Sequence, residues 1–167
     1  MKTLLAVISE SDNPKEFIKY AAQFSKDLNT NLKLLAVQNP EAYSVGTQYA
    51  TGAIAANIQE VLEETAQNVK QDLLQLAQEA TAELPFKINI DVLSEIGRTK
   101  YIVEELVSNN KVDMVILESK LNVSFWAQTT TNKDIIYDIE CPVWVIPEET
   151  EYKPYSKVVY ATNYKEE

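Results

Sequence analysis

Apolar positions fall along this chain in two rhythms. Leu4 to Ile8 is an unbroken apolar run of strand length, as expected for a strand covered on both faces. Ser11-Asp12-Asn13-Pro14 reads as a helix start, with a short polar cap and proline in the first turn. Phe17, Ala21, Phe24 and Leu28 then recur at helical spacing, and Asn29-Thr30-Asn31 ends that stripe. Leu32 and the run Leu34 to Val37 predict a second buried strand, closed by Asn39-Pro40. Residues 40–53 read as a loop. From Ala53 to Leu84 there is neither glycine nor proline, and Ile58, Leu62, Thr65, Val69, Leu73, Leu76 and Ala80 keep one face of a long helix. Phe86, Ile88, Ile90 and Val92 alternate as a strand. Thr99 is expected to cap a helix with Ile102, Val103, Leu106 and Val107 inward, ended by Asn109-Asn110. Val112 to Leu117 predicts another buried strand, and Asn132 to Ile139 a short helix. Val143 to Ile146 predicts a last strand between Pro142 and Pro147.

The order is β-α-β-α-β-α-β-α-β. Strands alternating with helices specify an α/β fold, a five-stranded parallel doubly wound sheet with helices on both faces. Ligands in such sheets sit beyond the carboxyl ends of the strands, where the strand order reverses. The loops after Ile8, Val37, Leu93 and Leu117 are the places to look for a site.

Composition narrows the chemistry. Among 167 residues there are three glycines, one cysteine and no histidine, and the formal charge is −10. Without histidine there is no Ser-His-Asp triad and no imidazole metal site. Three dispersed glycines make neither a G-x-G-x-x-G nor a G-x-x-x-x-G-K-[ST] loop. The negative charge disfavours nucleic acid and anionic membranes. No run reaches a membrane span of ~18 apolar residues. Lone Cys141 forms no internal disulfide and points to a reducing, cytoplasmic address. With no histidine or clear cation near it, it is expected to fill a junction, not to act as a nucleophile. Glu10 and Asp12 are more economically read as helix-start residues than as metal ligands. Phe125 and Trp126 read as packing under a loop. No metal site, cofactor or catalytic residue is nominated.

The end of the chain differs. Residues 148–155 form an acidic, linker-like stretch. Val158-Val159-Tyr160-Ala161-Thr162-Asn163 then repeats the apolar-to-polar order of Leu4 to Ser9. Residues 156–167 are either a further edge strand or the start of a second copy of the fold.

Taken in order, the first strand and its helix, the strand ending A-V-Q-N-P, the long second helix, Gly97 and the ending D-I-I-Y-D-I-E-C-P-V-W-V-I-P resemble a universal stress protein domain over residues 1–147. The resemblance implies an adenine nucleotide alpha hydrolase-like, Rossmann-like sheet and the front half of a tandem protein. It further implies pairing through the last strand, Val143, Trp144, Val145 and Ile146, with a second copy or a second domain; the alternative is burial of that strand under a helix or under the 148–167 tail. Many members bind ATP through a motif of three spaced glycines followed by Ser or Thr. Backbone amides reach phosphate oxygens only where no side chain intrudes. Here the matching stretches are Glu118-Ser119-Lys120-Leu121 and Thr129-Thr130-Thr131-Asn132, and none of the glycines remains. The family's aspartate after strand one is replaced by Ser9. A carboxylate at Glu118, ~4 Å from a phosphate charge at an effective dielectric near 20, would oppose binding by ~4 kcal/mol, with Lys120 as a partial offset.

The expected function is a non-catalytic stress-response binding or regulatory domain with a degenerate nucleotide pocket. Its cleft would be formed by Val7, Ser9, Val37, Leu117, Glu118, Ser119, Thr129, Thr130, Thr131 and Asn132. The alternatives are a small-anion or nucleotide site with weak ATP binding, and a receiver-type signalling domain using Glu10 and Asp12 as its acidic pair. The receiver reading lacks an aspartate at the end of strand three, which runs Ser94-Glu95, and a lysine after Pro147.

Overall fold

The computed structural model describes residues 2–8, 13–40, 52–119 and 130–159. Nine elements follow in the expected alternation: β1 Thr3–Ile8, α1 Pro14–Asp27, β2 Asn31–Gln38, α2 Gly52–Thr81, β3 Ile90–Ile96, α3 Thr99–Ser108, β4 Met114–Ser119, α4 Thr130–Asp138 and β5 Val143–Pro147. All five strands are parallel, in the order β3-β2-β1-β4-β5. The order reverses between β1 and β4, which makes their carboxyl ends the topological switch point. Receiver domains follow the 2-1-3-4-5 order, so this topology removes the receiver reading.

Two apolar layers sandwich the sheet. Leu4, Ala6, Leu32, Leu34 and Ile116 face α1 and α2, where they meet Phe17, Ala21, Phe24, Leu73, Ala77 and Ala80. Leu5, Val7, Leu35, Val115 and Leu117 face α3 and α4, where they meet Val103 and Ile135. Both layers draw on the same strands at alternate positions, so continuous apolar runs in β1, β2 and β4 are what this architecture requires.

Three expectations at element ends are corrected. β3 starts at Ile90, not at Phe86. Ile90 is the register partner of Leu32, near the first residue of β2, so Phe86 and Ile88 have no neighbouring strand to join. Ile88 packs on the α1–α2 layer instead, and Phe86 lies under the Lys26 ammonium. Thr99 does not cap α3; Arg98 is the cap residue, with no side-chain cap bond, and Thr99 is the first helical residue. The last helix starts at Thr130, two residues before Asn132.

Candidate functional site

Backbone alternation decides which predicted residues can meet. Val7 and Leu117 are buried in the α3–α4 layer, and Val37 packs against the same layer. Val37 stands across from Glu95 in β3, one pleat beyond the Leu35–Leu93 pair. By the same alternation Ser119 lies on the face of Leu117, across from Pro147. The carboxyl ends of β2, β1 and β4 therefore present an apolar floor, Val37, Val7 and Leu117, with Ser119 at its rim.

Glu118 does not join this floor. It is one of two buried polar or charged residues among those described, 9% exposed, and the strand's period of two turns its side chain to the face of Ile116, toward α1 and α2. What Glu118 does present to α4 is its backbone. The Asn132 side-chain amide donates to the Glu118 carbonyl at 3.1 Å. This bond ties the first turn of α4 to the end of β4 across the segment between them. The expected repulsion of a phosphate by the Glu118 carboxylate is thereby weakened, because carboxylate and floor lie on opposite sides of the sheet. The alternation along β4, and not the position of Glu118 in the sequence, sets this face.

Thr130 and Thr131 are the first two residues of α4, whose Asn132 is hydrogen-bonded to the end of β4. Ser9 and Thr129 lie outside the described residues, as do Glu10, Asp12, Lys120, Phe125 and Trp126. Among the described residues no group of three or more acidic, cysteine or histidine side chains is placed to hold a metal ion. No helix of the described residues is long and apolar enough to cross a membrane. Burial pushes the Cys141 thiol above its ordinary value, only partly opposed by a hydrogen bond from the Val115 backbone. At neutral pH it remains a thiol, which suits a junction and not a nucleophile.

β5 closes one edge of the sheet, as its position in the sequence suggests. The Pro142 carbonyl accepts from Val115 and the Glu148 amide donates to Ser119, each toward β4. Alternation then turns the backbone groups of Val143 and Val145 outward, and no described residue pairs with them. Trp144 and Ile146 face the α1–α2 layer, while Val143 packs on the opposite one. The cover on Trp144 comes from the tail. Tyr152 and Tyr155, from the stretch read as a linker, stack against it and its neighbours.

Solved structures share this architecture. A universal stress protein from Lactobacillus plantarum superposes with a TM-score of 0.64 at 20% identity, over 87% of this chain and 97% of that one. A universal stress protein in complex with cAMP gives 0.57 at 14% identity, over 87% and 96%. An Arabidopsis thaliana member of the same family, with AMP bound, gives 0.55 at 12% identity, over 88% and 92%. No curated protein matches the chain in sequence. At these identities the superpositions establish the fold. The family model for universal stress proteins matches residues 1–147, from β1 to the end of β5, and the chain belongs to the universal stress protein family.

Proposed function

We propose that this chain is a non-catalytic binding or regulatory domain of the stress response. In this reading its switch-point cleft is a degenerate version of the nucleotide site, and it pairs through β5 with a second copy or with a further domain of the same kind. The observation that carries the reading is the chemistry of the β4–α4 junction. Tight approach of phosphate to backbone amides requires glycine. The chain instead has Glu118, Leu121 and Thr129 at the three glycine positions, and the Asn132 side chain is hydrogen-bonded to the Glu118 carbonyl. Val7 and Leu117 are themselves buried against α3 and α4, with Val37 packed on the same layer, so they offer no polar group to a phosphate.

Relatives of the same fold are described with cAMP and with AMP bound. This makes nucleotide the right probe and weak retention of ATP the competing reading. Calorimetric titration with ATP, AMP and cAMP separates the two. The proposal expects no saturable heat below about 1 mM ligand, which corresponds to binding weaker than about −4 kcal/mol. A micromolar constant for any of the three overturns the degenerate-cleft reading. Release of phosphate from ATP by the purified chain would overturn the non-catalytic one.

A further inference from the structure

After β5 the chain reverses. Glu149 adopts a left-handed conformation, φ 59°, and the Thr150 hydroxyl donates to the Pro147 carbonyl at 2.7 Å, closing a turn. Residues 151–159 are neither helix nor strand. They return across the α1 side of β5, where two tyrosines dock. Tyr155 sits edge-on to Trp144 at 5.1 Å and to Phe24 at 6.1 Å between ring centroids. Tyr152 sits edge-on to Tyr20 at 5.2 Å. Three hydroxyl contacts run through the cluster, two of them from the returning segment. Tyr20 and Tyr155 share a hydrogen bond, the Trp144 indole N–H donates to the Tyr20 oxygen at 3.3 Å, and the Tyr152 hydroxyl donates to Asp27 at the end of α1.

The position matters. A parallel strand needs cover on both faces. On the α3–α4 side β5 has it. On the other side Phe24 of α1 packs on Trp144, and among the described residues no helix follows β5. The returning segment fills the space that such a helix would take. Its hold is nevertheless slight. Among the described residues no backbone hydrogen bond joins 151–159 to the rest of the chain, and Tyr155 is 47% exposed. Segments fixed by a few side chains and no backbone ladder open at low free energy.

We propose that residues 148–155 are a releasable strap that substitutes for a fifth helix and controls β5. Closed, it holds the edge strand in the sheet through Trp144. Open, it frees the strand and uncovers the groove between Trp144, Phe24 and Tyr20. The strap is a property of one chain and does not depend on whether β5 pairs with a second copy.

The test is hydrogen exchange on the whole chain carrying Tyr152→Ala and Tyr155→Ala, with Trp126→Phe so that Trp144 alone reports by fluorescence. The strap predicts a red-shifted Trp144 emission and exchange at least tenfold faster in the peptide covering Val143–Pro147, while the Thr3–Ile8 peptide of β1 is unchanged. A red shift with unchanged exchange in β5 overturns the proposal. So does equal acceleration of β1 and β5, because the tyrosines would then be general packing and not a local control. Tyr155→Ala alone removes only a half-exposed ring. If the double variant folds poorly, this single variant decides the matter by the same comparison of β5 with β1.

Discussion

At the scale of single residues, the shortage of glycine is met by asparagine. α1 and α3 end in the same way. The Thr30 amide donates to the Ser25 carbonyl and the Asn29 amide to Lys26; the Lys111 amide donates to Leu106 and the Asn110 amide to Val107. Asn29 and Asn110 both sit at φ 53°. These are paired-bond helix terminations that call for a left-handed residue, a place glycine usually fills and asparagine tolerates. Replacing either asparagine by alanine should cost on the order of 1 kcal/mol, because Cβ crowding is retained while asparagine's tolerance of this conformation is lost. Asn→Gly should be close to neutral. Urea unfolding midpoints of the four single variants check this; an alanine variant as stable as its glycine counterpart would contradict the account. Gly97, at φ 151°, fills a different need, since a Cβ there would come within 3.3 Å of the Ile102 side chain. The asparagines were legible in the sequence as helix ends, but their left-handed geometry was not, because a terminator's dihedral depends on the bonds that close around it.

At the scale of elements, β5 carries the clearest consequence. Its inward backbone groups serve β4, its outward ones belong to Val143 and Val145, and Pro147 offers no donor. A strand that pairs with this edge finds two outward donors, the N–H groups of Val143 and Val145, of which Val145 lies at the centre of β5. Val145→Pro removes that donor without touching a bond to β4. If β5 pairs two copies, sedimentation velocity should show wild type as a dimer at micromolar concentration and Val145→Pro as a monomer with unchanged far-ultraviolet circular dichroism. A wild type that stays monomeric, or a proline variant that stays dimeric, removes β5 as the pairing surface. The elements themselves were largely legible. The runs at Leu4–Ile8 and Leu34–Val37 predicted β1 and β2, the run Val112–Leu117 predicted β4, which starts two residues later at Met114, and the stripe from Leu62 to Ala80 lies within α2. Two features were not. The start of β3 depends on where β2 begins, which is a register relation between distant segments. The cover on Trp144 comes from two tyrosines in an acidic stretch with no periodicity, so no local pattern announces that it packs. The candidate cleft lies between these extremes. Its apolar floor follows from strand ends that sequence locates, whereas the face taken by Glu118 required the strand's phase.

At the scale of the whole molecule, the acidic charge and the tyrosine cluster together set how stability responds to alkali. Burial, reinforced by the hydrogen bond to Tyr155, holds the Tyr20 phenol well above its ordinary value of 10.0; burial, reinforced by Asp27, does the same for Tyr152. Each is raised in the folded state, so the sign is fixed. Between the ordinary value and the folded one, the unfolded chain has shed protons that the folded chain still holds. Fewer protons bound in the unfolded state means stability falls as pH rises. Their contribution is complete below about pH 10 and is lost progressively above it. Lys100 shifts upward as well, by its hydrogen bond to Asp138, and pulls in the same direction. Its ion pairs lie at the solvent-accessible surface and add little, since such pairs are screened. A net charge of −10 at neutral pH grows more negative as lysines deprotonate, which steepens the decline without involving the tyrosines. Separating the two causes needs a comparison of slopes. Urea midpoints of the wild-type chain, taken from pH 8 to pH 11, should stay level and then fall beyond about pH 10. Tyr20→Phe with Tyr152→Phe should begin lower, having lost three hydroxyl contacts, and then fall less steeply. Equal slopes in both proteins would mean that bulk charge, and not the phenols beneath the strap, governs the response.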